Sequence, residues 1–193
     1  MVSDNKTTKV VTGKARFAFV HVFEPAETPS GDMKYSARVL IPKSDKQTLK
    51  DIRNAQEAAV EAGLKSKFGG KRPKDLRDCL RDGDTAEDQE GNLLKDNWPE
   101  YEGHYFINVS SRTQPGVVDR QTRTITDSGE FYSGCYGKAS INFFAYNTAG
   151  NKGVSAGLNN VQKIADGDYL GGRSRAEDDF EPYDDDDDLD DLI

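Results

Sequence analysis

The chain has 193 residues and a formal net charge of −8, with 34 acidic against 26 basic residues. The acidic charge is concentrated at the C-terminus: residues 177–193 hold eleven Asp and Glu and no Lys or Arg, so −8 for the chain and −11 for this segment leave +3 on residues 1–176. No apolar run is long enough to cross a membrane as a helix. The two cysteines, Cys79 and Cys135, lack a CxxC spacing and predict reduced thiols, so we expect a soluble cytoplasmic protein.

Two β-strands are predicted near the N-terminus, because apolar and polar residues alternate there. In the first, Val10–Phe23, Lys14 and Arg16 lie on the polar face, and the apolar face is formed by Val11, Ala15, Phe17, Phe19 and Phe23. A turn segment with two prolines and a glycine follows. The second strand, Met33–Ile41, places Lys34 and Arg38 on its polar face.

One helix is predicted after the second strand. Ser44 fits the N-cap, Gln47 would complete a capping box, and Gly63 fits the residue that ends the helix. We expect the helix to pack over one end or side of a sheet. Residues 64–102 show no strong periodicity. They contain a basic loop with Lys71 and Arg72, and one or two helical turns are expected between residues 75 and 83.

The strand pattern resumes at His104–Arg112, where Phe106 and Arg112 lie on the polar face. The most regular alternation is in Gly134–Tyr146, and its apolar face is formed by Cys135, Gly137, Ala139, Ile141, Phe143 and Ala145. A hairpin turn and a further strand follow, in which Asn159-Asn160 predicts a bulge or a strand end.

Five to seven sequential strands with one inserted helix predict a mainly β fold. An OB-fold-like antiparallel β-barrel with one inserted helix and a disordered acidic C-terminal tail fits this pattern, and a β-sandwich is the structural alternative. We therefore expect an OB-like domain over residues 1–176 and a disordered tail over residues 177–193.

The sequence offers no motif for catalysis. The histidines, His21 and His104, do not stand in a metal-binding spacing, and neither a phosphate-binding Gly-rich loop nor a nucleophile elbow occurs. An acidic segment that begins at Asp82 resembles a calcium-binding loop, but Glu87 stands where that loop needs glycine. We predict no cofactor and no metal. A metal-dependent nuclease built from carboxylates alone stays open, because acidic pairs are abundant.

The polar face of Gly134–Tyr146 carries three aromatic residues, Tyr136, Phe144 and Tyr146, together with Lys138 and Asn142, which is unusual for a solvated face. Aromatic rings stack on unpaired bases, and nearby cations neutralise phosphates, so the pattern predicts binding of single-stranded DNA, with duplex DNA bound more weakly. The alternative is that these rings pack under the helix, a loop or a second subunit. The predicted DNA-binding residues are Lys14, Arg16, Lys34, Arg38, Lys71, Arg72, Phe106, Arg112, Tyr136, Lys138, Phe144 and Tyr146.

The acidic tail is predicted to be disordered, because it cannot bury enough apolar surface to offset its ordering entropy. A solubilising charge run is the simplest interpretation. An apolar tip suggests more, namely a segment that competes with DNA for the basic groove and recruits partners. The residues assigned to it are Asp184, Asp185, Asp186, Asp187, Asp188, Asp190, Asp191, Leu192 and Ile193.

A resemblance to a known family rests on two runs, FYSGCYGKASINFFAYN (residues 131–147) and KGVSAGLNNVQKIADGDYLGGR (residues 152–173). They resemble a phage family of single-stranded DNA-binding proteins with an OB fold, long catalogued as a domain of unknown function. The segments TGKARFAFVHVFEP and YSARVLIPKSD are similar to its N-terminal part, so the likeness covers most of residues 8–173. The tail is similar to those of replicative single-strand binders, although its tip is Leu-Ile and carries no aromatic residue.

The resemblance implies a non-enzymatic, largely sequence-independent binder that protects single strands in phage replication or recombination, in the cytoplasm of the host cell. It also implies that the tail restrains DNA binding and recruits replication or recombination proteins. A homodimer formed through an exposed strand edge is a further expectation. Two alternatives remain at this point: the nuclease, and a protein-interaction module whose tail mimics DNA.

Overall fold

The computed structural model describes residues 7–171. The chain forms eight strands and two α-helices in this range, with a 3₁₀ turn at Pro99–Tyr101. Their bounds are β1 Lys9–Val11, β2 Ala15–Glu27, β3 Met33–Pro42, α1 Lys46–Phe68, β4 Leu80–Asp82, α2 Leu94–Asn97, β5 His104–Ser111, β6 Gly116–Val118, β7 Tyr136–Thr148 and β8 Asn151–Ala165.

Five of the strands close into a barrel. The hydrogen-bonded order is β7, β2, β3, β5 and β8, and β8 pairs again with β7 to complete the ring. The β5–β8 pair is parallel, whereas the other pairs of the ring are antiparallel. The short strands β1 and β6 extend β7 and β8 outside the ring. The predicted mainly β, OB-like barrel is therefore confirmed, and the sandwich alternative is set aside.

The barrel interior holds the main core, and α1 packs against it. Phe17, Val39, Ile107 and Ile141 are fully buried in one cluster that also contains Ile52 of the helix. The alternation predicted for β7 is confirmed, since its six apolar-face residues are all buried. Burial of this kind stabilises the fold by about 1.5–3 kcal/mol for each large apolar side chain.

The bounds of α1 differ from the prediction at both ends. Asp45 caps the helix, because its Oδ1 accepts a hydrogen bond from the Thr48 N–H at 3.1 Å, so Ser44 lies one residue too early. The helix runs past Gly63 and ends at Gly69, which has a left-handed φ of 66°. Gly63 is a packing residue: a Cβ there would lie 2.5 Å from Ala145 Cβ in β7.

Replacing Gly63 by Ala is therefore expected to destabilise the protein, although alanine is the better helix former. Overpacking costs about 1–3 kcal/mol and the gain in helix propensity offsets at most about 1 kcal/mol. Urea denaturation measures the change in the free energy of unfolding. Ser66→Ala, at an exposed position of the same helix, is the control and should change stability by less than about 0.5 kcal/mol. A Gly63→Ala protein more stable than the wild type would contradict the close helix–strand contact.

The predicted first strand is interrupted in two places. Thr12–Lys14 separate β1 from β2, and Val11, predicted for the core, is 60% exposed. Within β2 the register to β3 slips between Ala18 and His21, where Phe19 and Val20 lie opposite the single residue Ala37 of β3. This bulge turns Phe19 outward with a positive φ of 48°, so its predicted place in the core is wrong. On β8, a bulge at Asn159 confirms the predicted irregularity there.

Residues 83–103, here called the cover segment, lie across the outside of the barrel. They follow β4, which pairs with β5 where a helical turn was predicted. Ala86, Leu94 and Tyr101 of the cover segment form a second buried cluster with Ala18, Leu40 and Phe106 on the outer side of the strands. The cover segment thus buries one half of the outer surface of β2, β3 and β5 and leaves the other half accessible.

Both cysteines are free thiols, and Cys135 is fully buried. Burial raises the pKa of each to about 11, so both stay protonated at neutral pH. Within residues 7–171, no helix is long and apolar enough to cross a membrane.

Candidate nucleic-acid interface

The accessible half of the outer surface of β2, β3 and β5 is the candidate interface, here called the open face. Strand pairing aligns Arg38 with Asn108, and in the next row His21 with Ser36 and Ser36 with Ser110. These rows carry polar and basic side chains on the outside of the barrel. Ala18, which pairs with Arg38, lies under the cover segment. In chain order, β3 and β5 are the second and third strands of the ring, and the face of these two strands binds oligonucleotides in OB folds.

Arg38 lies at the centre of the open face. Its Nε donates to Asn108 Oδ1 at 2.7 Å and a terminal nitrogen donates to the Tyr101 hydroxyl. Its guanidinium carbon lies 4.9 Å from the centroid of the Phe19 ring and 5.0 Å from that of Phe106. Both hydrogen-bond partners are neutral, so neither offsets the positive charge of the guanidinium, which is free to attract a phosphate. Burial raises the pKa of Tyr101, which keeps its hydroxyl protonated.

An aromatic cavity borders Arg38. It is an open hollow of about 350 Å³, and its wall includes Phe19 of the β2 bulge, Trp98 of the cover segment and Tyr169 near the C-terminus of the described chain. These three rings are 49%, 38% and 37% exposed. A larger cleft of about 560 Å³ continues from it, since both share Val20, His21, Ser133 and Tyr169 in their walls.

The residues that follow β8 form a strap, residues 166–171, which holds Tyr169 in place. Arg16 donates from a terminal nitrogen to the Asp168 carbonyl at 2.9 Å, and the Leu170 N–H donates to the Ser133 carbonyl at 2.9 Å. The Gly167 N–H donates to the Tyr132 hydroxyl at 3.2 Å. Arg16 therefore has a structural role at the edge of the interface.

Lys14, Arg16 and Tyr136, three of the predicted DNA-binding residues, lie together beside the strap. The Lys14 Nζ lies 5.0 Å and the Arg16 guanidinium carbon 5.5 Å from the centroid of the Tyr136 ring. Both cations stand over a half-buried ring at the start of β7. This cluster joins the open face through Arg16, which is two residues from Ala18 on β2.

The remaining aromatic residues of β7 lie nearer the β7–β8 hairpin. Phe144 is exposed and lies over Gly157, where a Cβ would be 3.6 Å from its Cε1. Tyr146 is half-buried over Gly153, where a Cβ would be 2.9 Å from its hydroxyl. Lys138 lies between the two ends of the strand, opposite Gln162 of β8. One strand therefore carries Tyr136 and Phe144, but the structure does not bring them to the same part of the surface.

The other predicted residues have separate locations. Arg112 lies 4.0 Å from the Asp32 carboxylate at the β2–β3 turn, and Lys34 enters β3 from that turn. Arg72 forms two hydrogen bonds with Glu57 of α1 and so is already paired, and Lys71 precedes it on an exposed loop.

The structure corrects the prediction that Phe106 contacts DNA. Its ring is fully buried, because Tyr101 of the cover segment packs edge-on at 5.1 Å and two arginines stack against it. It faces outward as predicted, but the cover segment shields it from any ligand.

The three aromatic residues of the cavity wall were not among the predicted DNA-binding residues. They are Phe19, Trp98 and Tyr169. Phe19 has the spacing of a core residue, and only the bulge turns it outward. Trp98 is the single tryptophan of the chain and stands in an otherwise polar, aperiodic segment. Tyr169 follows the last strand in a Gly-rich run. The signal that could have identified Trp98 and Tyr169 as candidate binding residues is the presence of a large aromatic side chain in a polar loop.

The acidic segment that begins at Asp82, which resembles a calcium-binding loop in sequence, has a structural role. Lys43 Nζ lies 2.7 Å from both Asp82 Oδ1 and Asp84 Oδ2, and Asp84 Oδ1 accepts from the Gly103 N–H at 3.1 Å. These contacts join the two ends of the cover segment to each other and to Lys43, the residue that follows β3. Among residues 7–171, no group of three or more His, Cys, Asp or Glu side chains is arranged to hold a metal.

Acid is expected to loosen the cover segment. The hydrogen bond from Lys43, then that from Gly103, holds the pKa of Asp84 below its ordinary value. A lowered folded pKa contributes stability above the unfolded value of about 3.9, and this contribution is lost as the pH falls through the folded pKa. The emission of Trp98 should therefore shift to the red below about pH 4. In Asp84→Asn the shift should already be present at pH 7. Identical emission of both proteins from pH 7 to pH 3, with far-UV circular dichroism unchanged, would contradict this role.

Comparison with known proteins identifies the family. The family model described as the ssDNA-binding protein of Enterobacter phage Enc34 matches residues 8–190. The putative protein p50 of Acyrthosiphon pisum secondary endosymbiont phage 1 is 34% identical over 185 residues, which cover 90% of this chain and 92% of the relative.

Solved structures share the fold. The single-stranded DNA-binding protein from bacteriophage Enc34, in complex with ssDNA, is 23% identical with a TM-score of 0.67, over 85% of this chain and 90% of that one. The single-stranded DNA-binding protein gp2.5 of bacteriophage T7 is 17% identical with a TM-score of 0.56, over 89% and 91% of the two chains.

The barrel and these matches define the class as phage single-stranded DNA-binding proteins with an OB-like fold. Within that class, the chain belongs to the family of the phage Enc34 ssDNA-binding protein, which confirms the resemblance inferred from sequence. Proteins of this family are not enzymes, so the nuclease alternative is set aside. The predicted tail residues, 177–193, lie outside the described residues.

Proposed function

We propose that this protein binds single-stranded DNA along the open face, largely without regard to sequence, and protects single strands during phage DNA replication or recombination in the host cytoplasm. The observation that carries the proposal is Arg38 on β3. It is a cation without a carboxylate partner within residues 7–171, and it lies beside the exposed ring of Phe19, which lines the aromatic cavity. The names of the structural relatives support the same ligand.

The proposed path follows the distribution of charge and aromatic rings. Arg38 and the aromatic cavity form its centre, and Lys14, Arg16 and Tyr136 extend it along β2 and β7. Lys34 and Arg112 extend it toward the β2–β3 turn. Cations along such a path release counterions from the DNA, and rings stack on its bases, so the affinity depends on salt but little on sequence. The pairing of Arg72 and the burial of Phe106 leave those two residues off the path.

We also propose that the acidic tail, residues 177–193, competes with DNA for this path and recruits replication or recombination proteins through Leu192 and Ile193. The position of the last described residue supports the proposed competition between the tail and DNA. Gly171 belongs to the wall of the aromatic cavity, so the first acidic residue of the tail, Glu177, is six residues away. Six residues span at most about 20 Å, so the covalent connection limits how far Glu177 can lie from Gly171.

A titration with labelled oligo-dT and with a duplex of equal length, at low and at physiological salt, tests the binding proposal. We expect saturable binding of oligo-dT, weaker binding of the duplex, and a loss of affinity as salt rises. The salt dependence reports the number of phosphates that the protein contacts. A protein lacking residues 177–193 that binds neither ligand at low salt would overturn the proposal in favour of an interaction module.

A further inference from the structure

The cleft of about 560 Å³ beside the aromatic cavity is here called the polar cleft, and most of its lining comes from residues 20–24 of β2 and residues 126–133 before β7. We propose that the polar cleft reads the edge of one unpaired base and that Glu24 gives it a preference for cytosine over thymine and uracil. This inference rests on the proposed function. It adds a modest base preference to a path whose phosphate contacts carry no sequence information.

Five exposed polar side chains line the polar cleft and are free to bind a ligand. None of them forms an ion pair or a side-chain hydrogen bond with another part of residues 7–171. They are His21, Glu24, Gln114, Thr126 and Ser128. Exposed polar side chains are ordinary when they are scattered over a surface. Here they line a single cavity, which is the arrangement that orients a bound ligand.

Buried residues hold the polar cleft in shape. Val22, Phe131 and Tyr132 belong to its lining and are buried. The Phe131 ring packs edge-on against Phe17 of the core, with 5.0 Å between the ring centroids. The Tyr132 hydroxyl donates to Asp166 Oδ1 of the strap at 2.9 Å. A site that is formed before the ligand arrives loses little conformational entropy when the ligand binds.

The charge of the polar cleft disfavours a phosphate. Within the described chain its lining contains no Lys or Arg and a single carboxylate, that of Glu24. A carboxylate repels a phosphate, whereas Arg38 attracts one beside the adjoining aromatic cavity, next to Phe19. A strand whose phosphates follow the cations of the path therefore presents a base, and not a phosphate, to the polar cleft.

A carboxylate distinguishes the pyrimidines by the group at position 4 of the ring. Cytosine carries an amino group there, and Glu and Asp recognise cytosine by accepting a hydrogen bond from it. Thymine and uracil carry a carbonyl oxygen there, which a carboxylate repels. The hydroxyls of Thr126 and Ser128 and the amide of Gln114 can each donate or accept, so they suit the edge of any base. Glu24 is accordingly the residue that sets the preference.

Oligo-dC and oligo-dU of equal length test the inference, because every register of a homopolymer places the same base in the polar cleft. The full-length wild-type protein should bind oligo-dC about 5- to 20-fold more tightly than oligo-dU. In Glu24→Gln the two affinities should agree within about twofold, since an amide donates to a carbonyl as readily as it accepts from an amino group. Fluorescence anisotropy with labelled strands measures both affinities.

Glu27→Gln is the matched control. Glu27 is exposed on the same strand, does not line the polar cleft, and loses the same charge. The ratio of the two affinities in Glu27→Gln should therefore equal that of the wild type. The ratio should also change little between low and physiological salt, because a hydrogen bond to a base releases no counterions.

A third strand tests the inference without any variant. Oligonucleotides with pyrimidin-2-one as the base keep the ring and the phosphates of oligo-dC and lack only its amino group. The wild-type protein should lose most of its preference for this strand over oligo-dU. This comparison still decides the case if Glu24→Gln does not fold.

The failures are distinguishable. A wild-type protein that binds none of these strands overturns the proposed function itself. Equal binding of oligo-dC and oligo-dU by the wild type overturns the base preference and leaves the proposed function intact. An unchanged ratio in Glu24→Gln, or a full preference for the strand that lacks the amino group, does the same.

Discussion

Deletion of residues 177–193 is expected to tighten binding of oligo-dT at low salt by about tenfold. A tethered segment acts as an intramolecular competitor with an effective concentration on the order of 1 mM. If it binds the open face with a dissociation constant of about 0.1 mM, it weakens the observed affinity for DNA by about tenfold. The strap ends at Gly171 in the wall of the aromatic cavity, six residues before this segment in the sequence, which is why we expect an intramolecular effect.

The gain from this deletion should shrink as salt rises. The tail and the DNA use the same cations, so ions in solution weaken both contacts and the advantage of removing the tail declines. A full-length variant with the acidic residues of 177–193 replaced by Asn and Gln is the matched control, because it keeps the length and removes the charge. It should behave like the deletion. Equal affinities of the full-length and truncated proteins at every salt concentration would contradict competition by the tail.

Replacing Arg38 by Ala is the second change with a large expected effect. Affinity for oligo-dT should fall by about 10- to 150-fold, because one charge-assisted contact is lost and such contacts contribute about 1.5–3 kcal/mol. The guanidinium also stacks on Phe19 and donates to Tyr101, so its removal disturbs a ring of the aromatic cavity and the edge of the cover segment. Fluorescence anisotropy with labelled oligo-dT measures the loss.

Arg53→Ala is the matched control for this substitution. Arg53 lies on α1, its guanidinium stacks 5.6 Å from the centroid of the Tyr105 ring, and its loss changes the net charge by the same amount. The affinity of Arg53→Ala for oligo-dT should stay within about twofold of that of the wild type. Salt screens a surface charge that lies more than a Debye length from the bound DNA, so such a charge contributes little to binding. Equal losses in Arg38→Ala and Arg53→Ala would show that only net charge matters and would contradict a localised interface.

The regular parts of the fold were predictable from the sequence because they follow one period. The strand β7 alternates without interruption, and its buried and outward faces are as predicted. The helix α1 was predicted in place, but both ends were wrong. Ser44 and Asp45 are adjacent and both are residue types that cap helices, so the sequence pattern did not distinguish them. Gly63 is small because it contacts β7, and it does not end the helix.

The candidate site was only partly predictable, because it depends on interruptions and on long-range contacts. The β2 bulge changes which side Phe19 faces, and no period in the sequence encodes that register slip. The cover segment is aperiodic, so nothing local predicted that it buries Phe106 and exposes Trp98. Arg38 was found by alternation alone, since it lies on a regular part of β3. The barrel shape then decided which of the outward cations and rings lie together.

Single-stranded DNA bound to the protein should contact the open face and its aromatic cavity. Photocrosslinking of the full-length protein to oligonucleotides that carry iododeoxyuridine, followed by mass spectrometry of the crosslinked peptides, measures this contact directly. We expect crosslinks to Phe19, Trp98 or Tyr169, which oligo-dT in excess should abolish. Crosslinks confined to α1 or to the basic loop at residues 65–74 would contradict it.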